Sequence, residues 1–219
     1  MKLLPIIFSS LFILTACSKD TDSSTSSNSA KTNSSEKVEQ AASVKVIQKK
    51  IAPEDNPALT GTPVLGFKLQ DSTEESVKDR LHNFTIDGVS FAGGAYMYND
   101  GSGFDLADLN YTGYGFDKEH KLQYVGMNFD GRHDKKGVYN RVVSYIDQRG
   151  YKVVRKVDPF VGDRLTEYST PNGDIITVSA PHLSFDVGVE YVSPTFMKMR
   201  SDAKAQTKET TAKKEAVNF

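Results

Sequence analysis

Residues 185–192, FDVGVEYV, place an apolar or aromatic side chain at every second position. The apolar positions are Phe185, Val187, Val189 and Tyr191, and the positions between them are Asp186, Gly188 and Glu190. Successive side chains of a strand point to opposite faces of its sheet, so one face of this strand is buried and the other is solvated. The stretch therefore predicts an antiparallel sheet with one covered face.

Strand patterns of this kind recur along the chain, with turn residues between them. We predict a short strand in Pro63–Leu69, with Leu65, Phe67 and Leu69 on one face, and further strands at about 88–98, 104–112 and 121–129. Three more are expected within 151–157, 164–170 and 174–180. Pro171-Asn172-Gly173 predicts a hairpin turn between the last two.

Two segments have helical rather than strand periodicity. In the first, Ser72 and Glu75 match a capping box, and Val77, Leu81 and Phe84 follow at helical spacing. The second has an apolar stripe and ends at Gly150, a residue suited to a left-handed C-terminal cap. The stripe consists of Tyr139, Val142, Val143 and Ile146.

The predicted order is strand, helix, three strands, helix, and three or four strands. A helix that precedes antiparallel strands normally packs on one face of their sheet, so we expect an α+β domain over 62–200. The helix-plus-meander unit occurs twice, in candidate halves at 62–131 and 134–194. A tandem repeat is therefore a hypothesis of the sequence.

Two segments of this pattern resemble known folds. LGFKLQDSTEESVKDRL (65–81) resembles the strand-into-helix opening of small bacterial envelope lipoproteins, and GFDKEHKLQYVGMNF (115–129) resembles their closing hairpin. The barrel-assembly small lipoproteins and the β-lactamase-inhibitor-protein-like folds have this unit, the latter in tandem. The resemblance implies a role in binding proteins rather than in catalysis, and it transfers no binding residue.

No catalytic or cofactor motif is visible. The chain lacks a nucleophile elbow, a P-loop and a dinucleotide fingerprint, and His82, His120, His133 and His182 are not at metal-ligand spacing. Lys and Arg number 27 against 28 Asp and Glu, so no basic excess indicates nucleic acid. We expect a non-enzyme without a cofactor or metal; an acidic pair with shifted pKa values in a pocket would revive an enzyme hypothesis.

Two loops are rich in acidic residues. The turn from Asn99 to Asp105, with Asp108 and Asn110, has a calcium-like composition but lacks the terminal Glu and the spacing of an EF-hand. A hairpin turn is the better interpretation. The loop containing Asp130, His133 and Asp134 is interpreted as a solvated connection with an N-cap for the second helix; a weak ion site is the alternative.

Aromatic residues are concentrated in the first half of the domain. They lie on or beside predicted strands, and are Tyr96, Tyr98, Tyr111, Tyr114 and Phe116. An exposed tyrosine surface would suit contact with a protein or a glycan, whereas a cross-strand ladder on the core face is an equally good interpretation.

The N-terminus has the pattern of a secretory signal. Lys2 precedes an apolar run of about a dozen residues, Leu3–Leu14, which is shorter than the roughly 20 residues of a membrane-spanning helix. Leu14, Thr15 and Ala16 then precede Cys17, the single cysteine of the chain. A chance cysteine after an ordinary signal peptide and a buried thiol are the alternatives, and both leave the flanking pattern unexplained.

Leu14-Thr15-Ala16-Cys17 resembles the bacterial lipobox. That resemblance implies a signal peptide at 1–16, recognition of Leu14, Thr15 and Ala16 by lipoprotein signal peptidase, and diacylglycerol on the sulfur of Cys17, with a further acyl chain such as palmitate on its amino group. Several acyl chains hold a protein on a membrane where one does so only marginally. Ser18 resembles the sorting pattern for the outer membrane, which implies a periplasm-facing domain in a Gram-negative envelope.

The segments on either side of the domain are polar. Eight of the 18 residues from Ser18 to Ser35 are Ser, so 17–60 is predicted to be a disordered tether with a reach of about 35–40 Å. Residues 201–219 lack an apolar stripe and are predicted to be a mobile polar tail.

The sequence thus leads to one functional expectation and one alternative. We expect an envelope lipoprotein that contacts the membrane through Cys17 and binds an envelope protein, or assists envelope assembly, through an open sheet face. The alternative is binding of a small molecule or a glycan, peptidoglycan included, in a concave cleft lined by tyrosines.

Overall fold

The computed structural model describes residues 59–216, which form ten strands and three helices. The strands are β1 (Pro63–Val64), β2 (Phe67–Lys68), β3 (Thr85–Val89), β4 (Gly93–Asn99), β5 (Leu109–Asp117), β6 (Leu122–Asp130), β7 (Lys152–Val157), β8 (Arg164–Ser169), β9 (Ile175–Ala180) and β10 (Asp186–Val192). The helices are α1 (Glu74–Arg80), α2 (Lys135–Asp147) and α3 (Pro194–Ala216). The predictions for 1–16, Cys17, most of the tether and 217–219 lie outside the described residues.

Eight strands form one antiparallel sheet in the order β3-β4-β5-β6-β10-β9-β8-β7. Each half is a four-stranded meander, and the last strands of the two meanders, β6 and β10, pair at the centre of the sheet. Helix α1 precedes the first meander and α2 precedes the second. The predicted α+β class, with a helix-plus-meander unit that occurs twice, is confirmed.

Helices α1 and α2 contribute to the core on one side of the sheet. Asp134 caps α2, because its Oδ1 accepts a hydrogen bond from the Gly137 N–H at 2.8 Å, as the sequence predicted. The whole predicted stripe of α2 is buried, and the helix contacts β9 and β10. The chain leaves the helix through Gly150, whose φ is 71°. Burial of this stripe positions the second helix on the sheet.

The first meander has four strands where the sequence predicted three. The segment 88–98, predicted to be one strand, contains the end of β3, a turn and β4. The turn is closed by a hydrogen bond from the Ser90 N–H to the Gly94 carbonyl, and Gly93 has a φ of 90°. The alternation of side chains continues through the turn, so periodicity alone did not reveal it.

The predicted strand at 104–112 was also misplaced, because β5 covers Leu109–Asp117. Residues 100–108 form a loop, in which Asn99 Oδ1 accepts hydrogen bonds from the Gly101 N–H and the Thr112 hydroxyl. Asp108 has a φ of 67° and ends the loop. The turn predicted around Asn99–Gly103 is confirmed, and it is longer than expected.

The predicted strand Pro63–Leu69 is a hairpin instead. Leu65 and Gly66 have φ values of 51° and 81°, so the chain reverses between β1 and β2. Phe67 and Leu69 are buried as expected, whereas Leu65 lies at the turn. The capping box of α1 is also one residue later than predicted, with Thr73 as the N-cap and Ser76 as its partner.

Strand β10 confirms the alternation of buried and exposed residues predicted for 185–192, except at Phe185. Val187, Val189 and Tyr191 are buried, but Phe185 is 70% exposed. The ladder of β10 begins at Asp186, and the Phe185 carbonyl accepts a hydrogen bond from the Gly131 N–H at 2.9 Å. Phe185 therefore belongs to the preceding loop and lies outside the covered face.

The predicted mobile tail is helical as far as residue 216. Ser193 caps α3 through a hydrogen bond from the Phe196 N–H to its Oγ at 3.1 Å, and Pro194 occupies the first helical position. Phe196 is the one buried residue of this helix, which explains why no apolar stripe was visible. Among residues 59–216, no helix has the length and apolar character that crossing a bilayer requires.

Candidate functional site: the open face of the sheet

The predicted aromatic set is divided between the two faces of the sheet. Tyr114 and Phe116 are buried in the core, as the ladder interpretation expected. Tyr96, Tyr98 and Tyr111 lie on the opposite face, which we call the open face, and are partly exposed. Tyr124 of β6, which the sequence analysis did not select, joins them there. We call Tyr96, Tyr98, Tyr111 and Tyr124 the tyrosine platform.

Glycines on neighbouring strands provide the space for these rings. In the register of β4 and β5, Tyr96 pairs with Gly115 and Tyr98 pairs with Gly113. A Cβ atom on Gly113 would lie 2.3 Å from the Tyr96 hydroxyl oxygen, and one on Gly126 would lie 2.4 Å from the Tyr124 hydroxyl oxygen. The tyrosine hydroxyls therefore lie directly over glycine backbone.

Contacts between the rings hold the tyrosine platform in one arrangement. Tyr98 and Tyr111 are stacked, with centroids 5.8 Å apart and an interplanar angle of 22°. The hydroxyls of Tyr96 and Tyr111 form a hydrogen bond of 2.6 Å, and the Tyr96 and Tyr124 centroids are 6.4 Å apart. Burial raises the pKa of Tyr96, so its phenol is neutral at physiological pH. These rings form a preorganised and uncharged aromatic surface.

The first two turns of α3 bound the tyrosine platform on one side. The Phe196 ring stacks on Tyr124 with centroids 4.8 Å apart, and Arg200 Nη1 lies 3.1 Å from Glu190 Oε2. The Tyr124 hydroxyl donates to Glu190 Oε1 at 3.1 Å. A cleft of about 290 Å³ lies at this junction, lined by Tyr96, Tyr124, Phe91, Phe196 and charged residues. The open face therefore contains a small tyrosine-lined cleft.

The other half of the open face is polar. Most of its side chains on β8, β9 and β10 are polar, small or charged, and they include Glu167, Thr177, Ser179 and Glu190, with Gly188 between them. Leu165 and Ile175 are apolar residues on the same face and are partly exposed. Arg155 on the edge strand β7 lies 3.9 Å from Glu167. The open face thus changes from aromatic to polar across the β6–β10 pair.

The four histidines are exposed and belong to separate loops. His120 Nδ1 lies 2.7 Å from Glu74 Oε2, which ties α1 to the β5–β6 turn. Burial alone would raise the pKa of Glu74, but hydrogen bonds from Lys78 and His120 lower it. No group of three or more His, Cys, Asp or Glu side chains within residues 59–216 is placed to hold a metal ion.

The acidic loops use their carboxylates for local structure. Asp100 accepts a hydrogen bond from the Ser102 N–H, and Asp108 pairs with Arg141 of α2 at 2.6 Å. In the other loop, Asp130 pairs with Arg132, and Asp134 caps α2. These contacts support the turn and N-cap interpretations over ion binding.

Sequence reasoning missed three parts of the open face: Tyr124, Phe196 and the glycine register. The glycines of YTGYG (111–115) and YVG (124–126) were a usable signal, because glycine inside a strand often marks the close approach of another group. Phe196 gave no periodic signal, because it is the single buried residue of its helix. The lipobox positions Leu14, Thr15, Ala16 and Cys17 lie outside the described residues.

Comparison of the chain with protein-family models, curated proteins and solved structures finds no match.

Proposed function

We propose that this chain is a lipid-anchored envelope protein whose domain binds another protein through the open face of its sheet, without catalysis. The observation that supports this most is the tyrosine platform, a set of partly exposed rings held by ring stacking and a hydroxyl pair. Tyrosine is enriched in binding hot spots because it offers a large contact area with few rotatable bonds.

Preorganisation strengthens this interpretation. Association costs about 0.5–1.5 kcal/mol for each flexible side chain that becomes immobilised at an interface. Tyr96 and Tyr111 are already fixed to each other by their 2.6 Å hydrogen bond, and Tyr124 is fixed by Phe196 and Glu190. Binding of a partner to these rings would therefore immobilise few additional side chains of this domain, and the associated loss of entropy would be small.

The anchor in this proposal is Cys17 of the lipobox-like LTAC. Diacylglycerol on its sulfur, with palmitate or a similar chain on its amino group, would hold the protein on the outer membrane facing the periplasm. The tether from 17 to 60, with a reach of about 35–40 Å, would let the open face meet a partner at a distance from the bilayer.

The proposal assigns the domain no catalytic step. In the described part of the chain, the acidic side chains of the two loops are engaged as caps and ion partners, and the histidines lie apart from one another. General acid–base catalysis needs such groups within hydrogen-bond reach of one shared substrate position.

Binding of a small molecule or a glycan is the second candidate, and the 290 Å³ cleft beside Tyr96 and Tyr124 favours it. Its volume is at the lower limit of ordinary small-molecule sites, about 300 Å³. Asp87, Glu190 and Arg200 at its edge would provide hydrogen bonds to hydroxyl groups. Peptidoglycan fragments and short oligosaccharides are the ligands to test.

Photo-crosslinking in intact cells separates these candidates. A benzophenone amino acid replaces Tyr98 on the open face in one variant and Tyr145, an exposed tyrosine of α2, in the matched control. We expect a discrete protein adduct from position 98 and none of that mass from position 145. Identical adducts from both positions, or none from either, would contradict binding through the open face, and an adduct digestible by a muramidase would favour the glycan candidate.

Replacement of the single cysteine tests the anchor. Cys17→Ser should abolish incorporation of labelled fatty acid and leave the uncleaved precursor, because the sulfur is the acceptor of the diacylglycerol. Normal processing and membrane retention of Cys17→Ser would refute the lipoprotein part of the proposal.

A further inference from the structure

A second and larger cleft lies on the helix-bearing face of the sheet. It has a volume of about 750 Å³ and lies between the β1–β2 hairpin, the 104–106 loop and α2. Its floor is formed by the central strands β6 and β10, where the two meanders meet. The volume is within the range of small-molecule sites, roughly 300–1,000 Å³. This cleft is separate from the tyrosine platform.

One end of the cleft is apolar. In the pairing of β10 with β6, which forms the floor, Val189 is opposite Met127, and Phe129 lies two residues further along β6. Phe104 and Leu106 of the β4–β5 loop cover this end and pack on the core while remaining partly exposed. Asp105, between them, also lines the cleft and is exposed, at the end away from Tyr191. The buried side chains of this end form a lining suited to hydrocarbon.

A buried phenol marks the other end. Tyr191 pairs with Val125 of β6, whereas Phe129 pairs with Val187, so Tyr191 and Phe129 lie at opposite ends of the floor. Tyr191 is only 7% exposed and lines the cleft. Its hydroxyl forms no hydrogen bond with another of residues 59–216, and its oxygen is not among the fully enclosed unpaired atoms of the core, so it is accessible from the cleft. Burial raises the pKa of Tyr191, so its hydroxyl is a proton donor at physiological pH.

Two cations lie at the same end. Arg149, just after α2, is close enough to Tyr191 to influence its pKa electrostatically. Lys68, at the base of the hairpin, also lines the cleft. The chain just after it is joined to this end of the floor, because the Gln70 N–H donates to the Leu122 carbonyl at the start of β6. Within the described part of the chain, neither cation has an ion-pair partner. The cleft therefore has an apolar end and an end with an unpaired donor and positive charge.

We propose that this cleft binds a long-chain fatty acid, with its carboxylate at Tyr191 and Arg149 and its alkyl chain along Met127 and Phe129. Charge complementarity selects the anionic group, because the hydroxyl and the two cations at that end are all donors. The apolar floor favours a long alkyl chain, since each buried CH₂ favours binding by up to about fourfold. This inference does not depend on the proposed function of the open face.

Titration of the mature chain, residues 17–219, with oleate tests the proposal. Calorimetry uses this chain with Cys17→Ser, made without the signal segment, so that neither an attached acyl chain nor the apolar run Leu3–Leu14 competes, and each variant is compared with that same parent. Tyr191→Phe keeps the ring and removes the hydroxyl, and we expect about tenfold weaker binding of oleate. Arg149→Gln should weaken it about threefold and reduce its dependence on salt.

Tyr114→Phe is the matched control. Tyr114 also has a buried hydroxyl without a partner in the described residues, but it does not line the cleft. We expect it to bind oleate as the parent does. Octanoate should bind at least tenfold more weakly than oleate. Tyr191→Phe should weaken oleyl alcohol less than it weakens oleate, because a neutral hydroxyl is a poorer acceptor than a carboxylate.

Three outcomes would overturn the proposal. The first is absence of oleate binding to the parent, and the second is equal affinity of the parent and the Tyr191→Phe and Arg149→Gln variants. The third is the same loss of affinity in Tyr114→Phe as in Tyr191→Phe, which would assign the effect to the fold rather than to the cleft.

Discussion

Strand β5 places Tyr111 on the open face and Tyr114 on the helix-bearing face, three positions apart. Tyr114 is fully buried, and the Phe67 ring meets it edge-on at 5.7 Å. Tyr111 is partly exposed and bonds to the Tyr96 hydroxyl. The same residue type thus fills the core on one face and forms a fixed surface on the other. The difference is that α1 and α2 cover one face, whereas on the other face the rings lie over glycines.

The helix-bearing face should be the more sensitive of the two to truncation. Phe67→Ala removes a fully buried ring from the core and leaves a cavity beside Tyr114. We expect a loss of about 3–5 kcal/mol in the free energy of unfolding, measured by urea denaturation. A loss below about 1 kcal/mol would mean that the hairpin contributes little to this core.

Gly94 and Gly113 differ in the atom that an added Cβ would meet, which is rigid backbone at Gly94 and the end of a side chain at Gly113. A Cβ on Gly94 would lie 2.0 Å from the Asp117 carbonyl oxygen, whereas a Cβ on Gly113 meets the terminal hydroxyl of Tyr96. Gly94→Ala must displace backbone and should cost about 1–3 kcal/mol. Gly113→Ala should cost about 1 kcal/mol, through the lost Tyr96–Tyr111 hydrogen bond. The reverse order of stabilities in urea would contradict the described position of the rings.

A buried carboxyl beside the β8–β9 turn should give the domain a pH dependence. Asp174 is fully buried, it accepts a hydrogen bond from Gln70 Nε2 at 2.6 Å, and burial raises its pKa. The native state therefore holds this proton more tightly than the unfolded chain, so its stabilising contribution is present below the unfolded pKa, about 3.9, and is lost as the pH rises through the folded pKa.

Asp174→Asn removes this titration and keeps the acceptor oxygen for Gln70. The stability of this variant relative to the wild type should therefore increase as the pH is raised from about 3 to 7. Urea midpoints across this range provide the measurement. A difference that stays constant with pH would show that the Asp174 pKa is not raised.

The smallest expected effect on stability is on the open face. Tyr98→Ala removes a partly exposed ring that stacks on Tyr111, and should cost about 0.5–1.5 kcal/mol. Its thermal midpoint should shift by only a few degrees. A loss as large as that of Phe67→Ala would indicate that the tyrosine platform is part of the core.

Much of the fold could be predicted from local patterns. The stripe of α2 and the alternation of Val187, Val189 and Tyr191 are set by burial on a single face, so they are visible as periodicity. The turn between β3 and β4 was missed because the alternation continues across it and its turn residues are only Ser90 and two glycines.

The candidate site was less predictable than the fold, since it depends on pairing between distant strands. Tyr98 meets Gly113 and Tyr124 meets Gly115 only in the sheet register, which single-strand patterns do not specify. Tyr111 and Tyr114 lie on opposite faces because they are an odd number of residues apart on one strand. Which of the two faces is covered depends on where the helices pack, and the strand pattern does not specify this. The second cleft involves five segments of the chain and has no sequence signature.

Recovery of the crosslinked partner tests the central claim, that the open face binds a protein through its tyrosines. The measurement compares co-purification of that partner with the Tyr98→Ala/Tyr111→Ala double variant and with Tyr145→Ala, an exposed tyrosine on α2. The account predicts at least a tenfold loss of partner with the double variant and no loss with Tyr145→Ala. Equal recovery with both folded variants would contradict it.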